Sequence, residues 1–274
     1  MSFMVLDSMP TIALLGTGLL GEAIGRRLLE QGVTLKVWNR TAAKCQPLLE
    51  QGAVLIDNLE GAAKGCEALI TVLRDGPISA DVIAELGDLD AVCCLPMGTM
   101  GISESRQLEL QVHRQNGFYL EAPVLGSKSE ALKGALLVMA GGDASVFQQQ
   151  LPLLRLLAVD PKWMGATGSG AASKLALNQL IGSLTHGYSL ALRLVEASGL
   201  EIERFIEVLR PSALYAPTVD KKLDRMITND FTNPNFTTAL LRKDLKLFVR
   251  EAALAGVNAE ALMGLVQLLN RAEG

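Results

Sequence analysis

The sequence has few of the residues from which hydrolytic and metal sites are usually built. Its two histidines, His113 and His186, are isolated, and without a serine–histidine–acid set hydrolysis by a catalytic triad has no support. The four cysteines show no metal-ligand spacing, and two of them, Cys93 and Cys94, are adjacent within an apolar run. We therefore predict no metal site, and buried, reduced thiols in a cytoplasmic protein.

Positive charge and membrane-spanning runs are also scarce. The formal net charge is −4 and no block of basic residues occurs, which argues against nucleic-acid binding. The N-terminus lacks a basic region followed by an apolar one, so no signal peptide is expected. The apolar stretch Leu175–Val195 contains Asn178, His186 and Arg193, and predicts a packed helix rather than a membrane span.

What the chain has in quantity is apolar sequence in alternating strand and helix patterns. Its 274 residues are 49% hydrophobic and 20% charged, typical of a globular protein with one or two domains. Near-continuous apolar strands separated by helices predict a parallel sheet covered on both faces. From Gly168 onward only helical patterns occur. We predict an α/β Rossmann-type domain over residues 1–165 and an all-α domain over residues 166–274.

The same patterns give approximate bounds for the elements. The predicted strands include Ala68–Leu73, Ala91–Leu95 and Phe118–Ala122. A short helix is expected over Leu59–Lys64, and a longer one over Ala144–Leu157 with an early interruption at Pro152. The later predicted helices are Ala171–Ser198, Ile202–Leu209, Pro217–Thr228, Thr237–Ala255 and Ala259–Arg271.

A glycine-rich turn follows the first apolar strand and precedes an amphipathic helix. Its glycines have the G-x-G-x-x-G spacing, which permits a tight turn, a close approach of the backbone to a diphosphate and close helix packing. The N–H groups at the start of the helix would face the anion. We therefore predict dinucleotide binding at this turn. The predicted cofactor-binding residues here are Gly16, Thr17, Gly18, Leu19, Leu20 and Gly21.

The end of the second predicted strand, Val33–Trp38, indicates which dinucleotide to expect. An NAD site usually has an acidic residue there that accepts hydrogen bonds from the ribose 2′-hydroxyl. This chain has Asn39, Arg40 and Thr41 instead, and a guanidinium suits a 2′-phosphate by its charge and planar shape. We predict NADP (NADPH) as the cofactor. The alternative is that Arg40 is a solvated loop charge.

Ligands of a parallel sheet lie at the carboxyl ends of its strands. The loops Leu73–Pro77, Leu95–Thr99 and Ala122–Lys128 all begin at predicted strand ends, so we assign them to the cofactor crevice. Leu73 and Arg74 are the candidate cofactor contacts in the first of these loops.

Lys174 and Asn178 are candidates for the chemistry, because they stand four residues apart on a predicted helix and so share one face. A desolvated lysine is suited to protonate a carbonyl oxygen that receives a hydride. On spacing alone, the alternative is a solvated lysine. Lys243 and Asp244 form a second pair, which spacing does not distinguish from the wet face of an amphipathic helix.

Four stretches, in order along the chain, resemble motifs of the β-hydroxyacid dehydrogenase family, which includes 3-hydroxyisobutyrate dehydrogenases and glyoxylate/succinic semialdehyde reductases. Gly16–Gly21 resembles its cofactor turn, and Glu121–Lys128 resembles its D/E-A-P-V-S-G-G/S segment. Gly168–Asn178 resembles its G-x-G-x-x-x-K-x-x-x-N helix, and Lys243–Leu245 its K-D-L segment. The sequences of Gly126–Lys128 and of Asn39–Thr41 are similar to those of the glyoxylate/succinic semialdehyde reductase branch, which uses NADPH.

The resemblance implies a role for each matching residue. Lys174 would be the general acid in reduction and the base in oxidation, and Asn178 would position the substrate. Lys243 would face the nicotinamide and the substrate with Asp244 supporting it, and Thr99 would contact the cofactor. The implied substrate-binding residues are Pro123, Val124, Leu125, Gly126, Ser127, Lys243 and Asp244.

Two positions depart from the family pattern. Leu125 stands where the family usually has serine, which removes a hydroxyl donor to a substrate carboxylate. Gly98 replaces another usual serine, beside Thr99. Leu125 leaves open a less polar substrate, such as those of the related imine reductases, although those enzymes generally lack a lysine at the position of Lys174.

The sequence thus predicts an NADPH-dependent reductase of a small aldehyde or 2-oxo acid, with a small-molecule substrate and neither nucleic-acid nor membrane partners. One alternative is an imine reductase, or a reductase of a carbonyl compound without a carboxylate. The other is a non-enzymatic dinucleotide-binding interaction protein. The apolar content of the helical part predicts a homodimer or homotetramer.

Overall fold

The structure, a computed structural model, describes residues 10–230, 232, 234 and 236–271. The chain divides into two compact units, one up to Leu175 and one from Ala176 onward. This division lies within a single long helix. The domain boundary predicted from the sequence at residue 165 stays a prediction.

One sheet organises the first unit. Its strands are β1 Thr11–Leu15, β2 Thr34–Trp38, β3 Val54–Leu55, β4 Ala68–Thr71, β5 Cys93–Pro96, β6 Phe118–Glu121, β7 Val124–Leu125, β8 Leu137–Gly142 and β9 Lys162–Gly165. Their order across the sheet is β3-β2-β1-β4-β5-β6-β8-β7, and β9 lies beside β8. Strands β1 to β6 pair in parallel, so their carboxyl ends lie along one edge.

Helices cover both faces of this sheet. They are α1 Leu19–Glu30, a 3-10 helix Ala42–Cys45, α2 Gln46–Leu49, α3 Gly76–Ala84, α4 Ile102–Arg114, α5 Lys128–Leu132 and α6 Ala144–Leu157. Successive residues of a strand point to opposite faces. Leu14 therefore packs in a core with Leu28 of α1, whereas Leu15 packs in a second core with Ile83 of α3. The predicted fold class, a Rossmann-type sheet followed by helices, is confirmed.

The last part of the sheet is antiparallel, which the sequence did not predict. Strand β8 runs antiparallel to both β6 and β7, with Val124 opposite Val138. A parallel connection needs a crossover of about a dozen or more residues. The segment 126–136 between β7 and β8 is shorter than that and already contains α5, so the chain turns straight back.

Several predicted element bounds differ from the structure, and three of the differences are explained by single residues. Residues Leu59–Lys64 form turns rather than a helix, because Gly61 and the following Gly65 both have φ of +71°, outside the right-handed helical region. Helix α6 continues through Pro152, which is exposed and has no N–H to donate to the preceding turn. Strand β5 begins at Cys93, since Ala91 has φ of +61°.

The second unit is helical throughout its described elements. Its helices are the latter part of α7 Ser169–Ala197, α8 Ile202–Leu209, α9 Asp220–Thr228, α10 Thr238–Leu254 and α11 Ala261–Arg271. An apolar cluster joins α7 to α8 and α9 through Leu192, Ile206 and Leu223. No helix among the described residues is long and apolar enough to cross a membrane.

Candidate functional site

The glycine turn between β1 and α1 is closed by contacts that only glycine permits. Gly16 has φ of +101°, and a Cβ on Gly21 would lie 1.8 Å from the carbonyl oxygen of Gly16. Gly18 is the N-cap of α1 and provides no side-chain cap, and a Cβ on it would meet no described atom within 4 Å. The turn therefore leaves the N-terminus of α1 open to an anion such as a diphosphate.

Asn39 ties this turn to the end of β2. Its Oδ1 accepts a hydrogen bond from the N–H of Thr17 at 3.2 Å, and its Nδ2 donates to the carbonyl of Thr41 at 3.0 Å. The Thr17 hydroxyl is buried and donates to the carbonyl of Lys44 at 3.0 Å. The side chains of Asn39 and Thr17 thus hold the turn against residues 39–44, which follow β2.

Arg40 and Thr41 follow immediately and are exposed. An exposed guanidinium beside the glycine turn fits the extra phosphate of NADP, and the open N-terminus of α1 fits the diphosphate. The described residues of this turn therefore suit the cofactor that the sequence predicts. Leu19 is largely exposed beside them.

The loops after β4 and β5 meet at the same edge of the sheet. A Cβ on Gly98 would lie 2.2 Å from the carbonyl oxygen of Leu73, so this backbone leaves no room for the serine usual in the family. Leu73 and Thr99 are half-buried, whereas Arg74 is exposed and pairs with Asp75 at 3.0 Å. These two of the predicted crevice loops are thus neighbours.

The predicted substrate segment follows β6. Pro123 and Val124 are buried, and Val124 belongs to the apolar core beneath the sheet. Leu125 is half-buried and Gly126 is exposed, with φ of +138°. Of the five predicted residues, only those from Leu125 to Ser127 have side chains or backbone near solvent.

Ser127 is already engaged within its own helix cap. It is the N-cap of α5, its N–H donates to Glu130 Oε2 at 2.8 Å, and its hydroxyl donates to the same oxygen. Because Leu125 has no hydroxyl and Ser127 already donates to Glu130, the segment has fewer donors for a substrate carboxylate than the family motif implies. Glu130 also places a carboxylate of the protein beside this segment.

Helix α7, which carries Lys174, starts at the carboxyl end of β6. Glu121, the last residue of β6, accepts hydrogen bonds at Oε1 from the N–H groups of Gly168 at 2.8 Å, Gly170 at 2.7 Å and Ala171 at 3.2 Å. Lys174, half-buried, lies one turn further along the helix. The lysine is thus carried at the edge of the sheet where the predicted crevice loops lie.

Glu121 is a residue whose importance sequence reasoning missed. It is 1% exposed, and Ser105 of α4 donates a hydrogen bond to its Oε2. Burial raises the pKa of this carboxyl above its ordinary value, and the hydrogen bonds from Ser105 and the α7 amides partly oppose that rise. The available signal was an acidic residue at the end of an otherwise apolar strand.

A separate polar group lies in the second unit. Asn178 Nδ2 of α7 donates to Asp244 Oδ2 of α10 at 2.6 Å, and both residues are buried. Lys243 Nζ lies 2.8 Å from Asp244 Oδ1, an ion-pair distance outside hydrogen-bond geometry. Asp244 therefore lies between Asn178 and Lys243, in support of a shared role, and Asn178 keeps its carbonyl oxygen as an acceptor.

No group of three or more histidine, cysteine or acidic residues that could hold a metal ion occurs in the described part of the chain. All four cysteines are free and buried, and burial raises the pKa of Cys93 to about 12.

Two family models together match nearly the whole chain. Residues 11–165 match the NAD-binding domain of 6-phosphogluconate dehydrogenase, and residues 168–274 match the NAD-binding domain of NADP-dependent 3-hydroxyisobutyrate dehydrogenase.

Individual proteins give the same result. Glyoxylate/succinic semialdehyde reductase 1 of Arabidopsis thaliana is 30% identical over 256 residues, covering 92% of this chain and 87% of that protein. Cytokine-like nuclear factor N-PAC of Homo sapiens is 27% identical, covering 87% of this chain and 44% of that protein. The structure of Mycobacterium tuberculosis 3-hydroxyisobutyrate dehydrogenase with L-serine superposes with a TM-score of 0.86 at 24% identity, covering 96% of this chain and 94% of that one.

Proposed function

Because the chain belongs to the β-hydroxyacid dehydrogenase family and is 3-hydroxyisobutyrate dehydrogenase-like, we propose that it is an NADPH-dependent reductase of a small aldehyde or 2-oxo acid. Membership confirms that the protein is an NAD(P)-dependent oxidoreductase that acts on hydroxyl and carbonyl groups. The match of the second half to the NADP-dependent enzymes confirms the expected cofactor. The direction of the reaction, reduction, and the class of substrate are what we propose.

One observation carries the proposal: Lys174 stands on the first turns of a helix that starts at the carboxyl edge of the sheet, beside the crevice loops. Bound NADPH supplies a hydride to the carbonyl carbon. Lys174 donates a proton to the carbonyl oxygen, so that an aldehyde becomes an alcohol. The family resemblance assigns Asn178 to positioning the substrate, and Asp244 fixes the amide group of Asn178.

The test is a panel of glyoxylate, succinic semialdehyde, neutral aldehydes and cyclic imines, each with NADPH and NADH, followed by the loss of reduced-nicotinamide absorbance. We expect turnover with NADPH, and a fall of about 10²–10⁴-fold in kcat for Lys174→Ala, the usual worth of a general acid. Lys162→Ala, at an exposed lysine of β9, is the matched control and should retain activity. Normal turnover by Lys174→Ala would contradict the lysine assignment.

A second candidate is a reductase of carbonyl compounds that lack a carboxylate. It is favoured by Leu125 and by the engagement of Ser127 with Glu130. A substrate carboxylate at this segment would meet one donor fewer and would lie near a like charge. Comparing succinic semialdehyde with butanal, which has a methyl group in place of the carboxylate, separates the two candidates.

Leu125→Ser tests the same point from the protein side. Restoring a hydroxyl donor should raise the ratio of kcat/KM for succinic semialdehyde to that for butanal by about tenfold, since a hydrogen bond to a charged group is worth roughly 1.5–3 kcal/mol. Leu125→Val keeps the site apolar and should leave the ratio unchanged. An equal ratio in both variants would remove Leu125 from the substrate site.

The third reading, a non-enzymatic dinucleotide-binding protein, draws on the likeness to N-PAC, whose name is that of a nuclear factor. It predicts NADPH binding without oxidation of NADPH by any compound of the panel. The retained Lys174 and Asn178 favour the reductase. The cytoplasmic location predicted from the sequence stays a prediction.

A further inference from the structure

The buried carboxylate of Glu121 is surrounded by hydrogen-bond donors that belong to the start of α7. Three amides of the turn and the first turn of the helix, those of Gly168, Gly170 and Ala171, donate to a single oxygen. The other oxygen receives the hydroxyl of Ser105, which in turn lies 2.8 Å from the hydroxyl of Tyr119. The carboxylate therefore joins β6, α4 and the N-terminus of α7.

Two neighbouring glycines, Gly141 and Gly170, leave the space in which this contact forms. A Cβ on Gly141 would lie 2.3 Å from Glu121 Oε1, and a Cβ on Gly170 would lie 2.3 Å from the carbonyl oxygen of Met139. Side chains at either position would push α7 away from β6 and β8. Two glycines and one acid thus set the place where α7 begins.

Resting on the proposed function, in which Lys174 protonates the substrate, we propose that Glu121 is a positioning residue for Lys174. Its carboxylate holds the first turn of α7 against the end of β6, and Lys174 follows Gly170 by about one helical turn. Displacement of that turn displaces the ammonium group from the carbonyl oxygen. A misplacement of about 1 Å in a reacting geometry costs up to about 10²-fold in rate.

The charge of Glu121 has a second consequence. The N-terminus of a helix carries a partial positive charge, which disfavours a cation nearby and favours an anion. A buried carboxylate at the N-terminus of α7 offsets that field for the ammonium group one turn later. A neutral residue of the same shape would keep the packing and lose this compensation.

Glu121→Gln is the decisive variant, because it preserves the shape and removes the charge. We expect kcat with NADPH to fall about tenfold, while KM for NADPH and the affinity measured by NADPH fluorescence titration stay within about twofold. Hydrogen exchange of the backbone amides over residues 168–174 should become faster. Exchange needs no turnover, so it tests the contact even in the absence of a substrate.

Glu109→Gln is the matched control. Glu109 of α4 accepts a hydrogen bond from the Thr167 hydroxyl at 2.6 Å, so it touches the same turn but not the amides of α7. This variant should keep kcat and the exchange rates of the wild type. Ser105→Ala, which removes only the donor to Oε2, should lower kcat less than Glu121→Gln and serves if the latter does not fold.

Full kcat or unchanged exchange in Glu121→Gln, or in Ser105→Ala where that is the folded variant, overturns the proposal. So does a rise in KM for NADPH that matches the loss in kcat, because Glu121 would then support the cofactor crevice instead. Lys174→Ala distinguishes a failure of the proposed chemistry from a failure of the proposed role of Glu121. If Lys174→Ala keeps normal turnover the proposed chemistry fails, whereas an inactive Lys174→Ala beside a fully active Glu121→Gln defeats only the role of Glu121.

Discussion

At the scale of single residues, Glu121 shows how burial and hydrogen bonding oppose each other. Burial raises the pKa of its carboxyl above the ordinary value of 4.5, although four donors favour the charged form. A raised pKa means that the folded state binds the proton more tightly than the unfolded state. The stability that protonation contributes is therefore present below about pH 4.5 and is lost as the pH rises through the raised pKa.

We accordingly expect the free energy of unfolding of the wild type to fall, relative to Glu121→Gln, as the pH increases from about 4.5 toward neutrality. Urea denaturation of both proteins at several pH values measures the difference. Tyr119 and Cys94, whose pKa values burial also raises, stay neutral in this range, and Glu109 is the other acid near Tyr119. Parallel stability curves for the two proteins would contradict the prediction.

Arg40 is the residue from which we predict NADP rather than NAD. Arg40→Ala should raise KM for NADPH about tenfold, equivalent to about 1.4 kcal/mol, and leave KM for NADH nearly unchanged, because only NADPH has the 2′-phosphate. Steady-state kinetics with both cofactors measures the ratio. Lys44→Ala removes an exposed charge from the same segment and should alter neither constant. Equal changes for both cofactors would make Arg40 a solvated loop charge.

At the scale of elements, substitutions of two glycines at the start of α1 test cofactor binding and folding stability separately. Gly18→Ala adds a methyl group that meets no described atom, at φ of −70°, so the free energy of unfolding should change by less than about 1 kcal/mol. Affinity for NADPH should nevertheless fall, because the methyl group occupies the face where the diphosphate approaches.

Gly21→Ala makes the opposite change. Its methyl group would lie 1.8 Å from the carbonyl oxygen of Gly16, so the turn must open and stability should fall by about 3 kcal/mol or more. Thermal unfolding and NADPH titration of the two variants distinguish the effects. A stable Gly21→Ala protein that still binds NADPH would show that this contact is not needed.

At the scale of the whole molecule, the prediction of a homodimer or homotetramer concerns the helical second unit. Leu194 of α7 is 70% exposed and Leu254 of α10 is 71% exposed, so each presents apolar surface that an interface between copies would cover. If these surfaces join copies, Leu194→Glu should lower the mass measured by sedimentation toward that of one chain. Leu110→Glu, at an exposed leucine of α4 in the first unit, should leave the mass unchanged. A wild type that sediments as one chain would refute the prediction.

Much of the first unit could be read from the sequence, because its signals are local. The apolar strands, the glycine turn and the helix that follows depend on residues within one or two turns of one another. The same holds for Lys174 and Asn178, whose spacing alone puts them on one helix face. Errors arose where one residue decided the backbone, as at Gly61, or where the chain was too short to cross over before β8.

The sequence by itself determined the fold class, the family and the NADP-dependent oxidoreductase chemistry, since each is written in short motifs in a fixed order. Only the tertiary structure decided how those motifs act together. It placed Glu121 against amides 47 to 50 residues later, and it joined Asn178 to Asp244 across 66 residues. The physical reason is that a hydrogen bond depends on distances between atoms in space, and those distances are fixed only when separate elements pack.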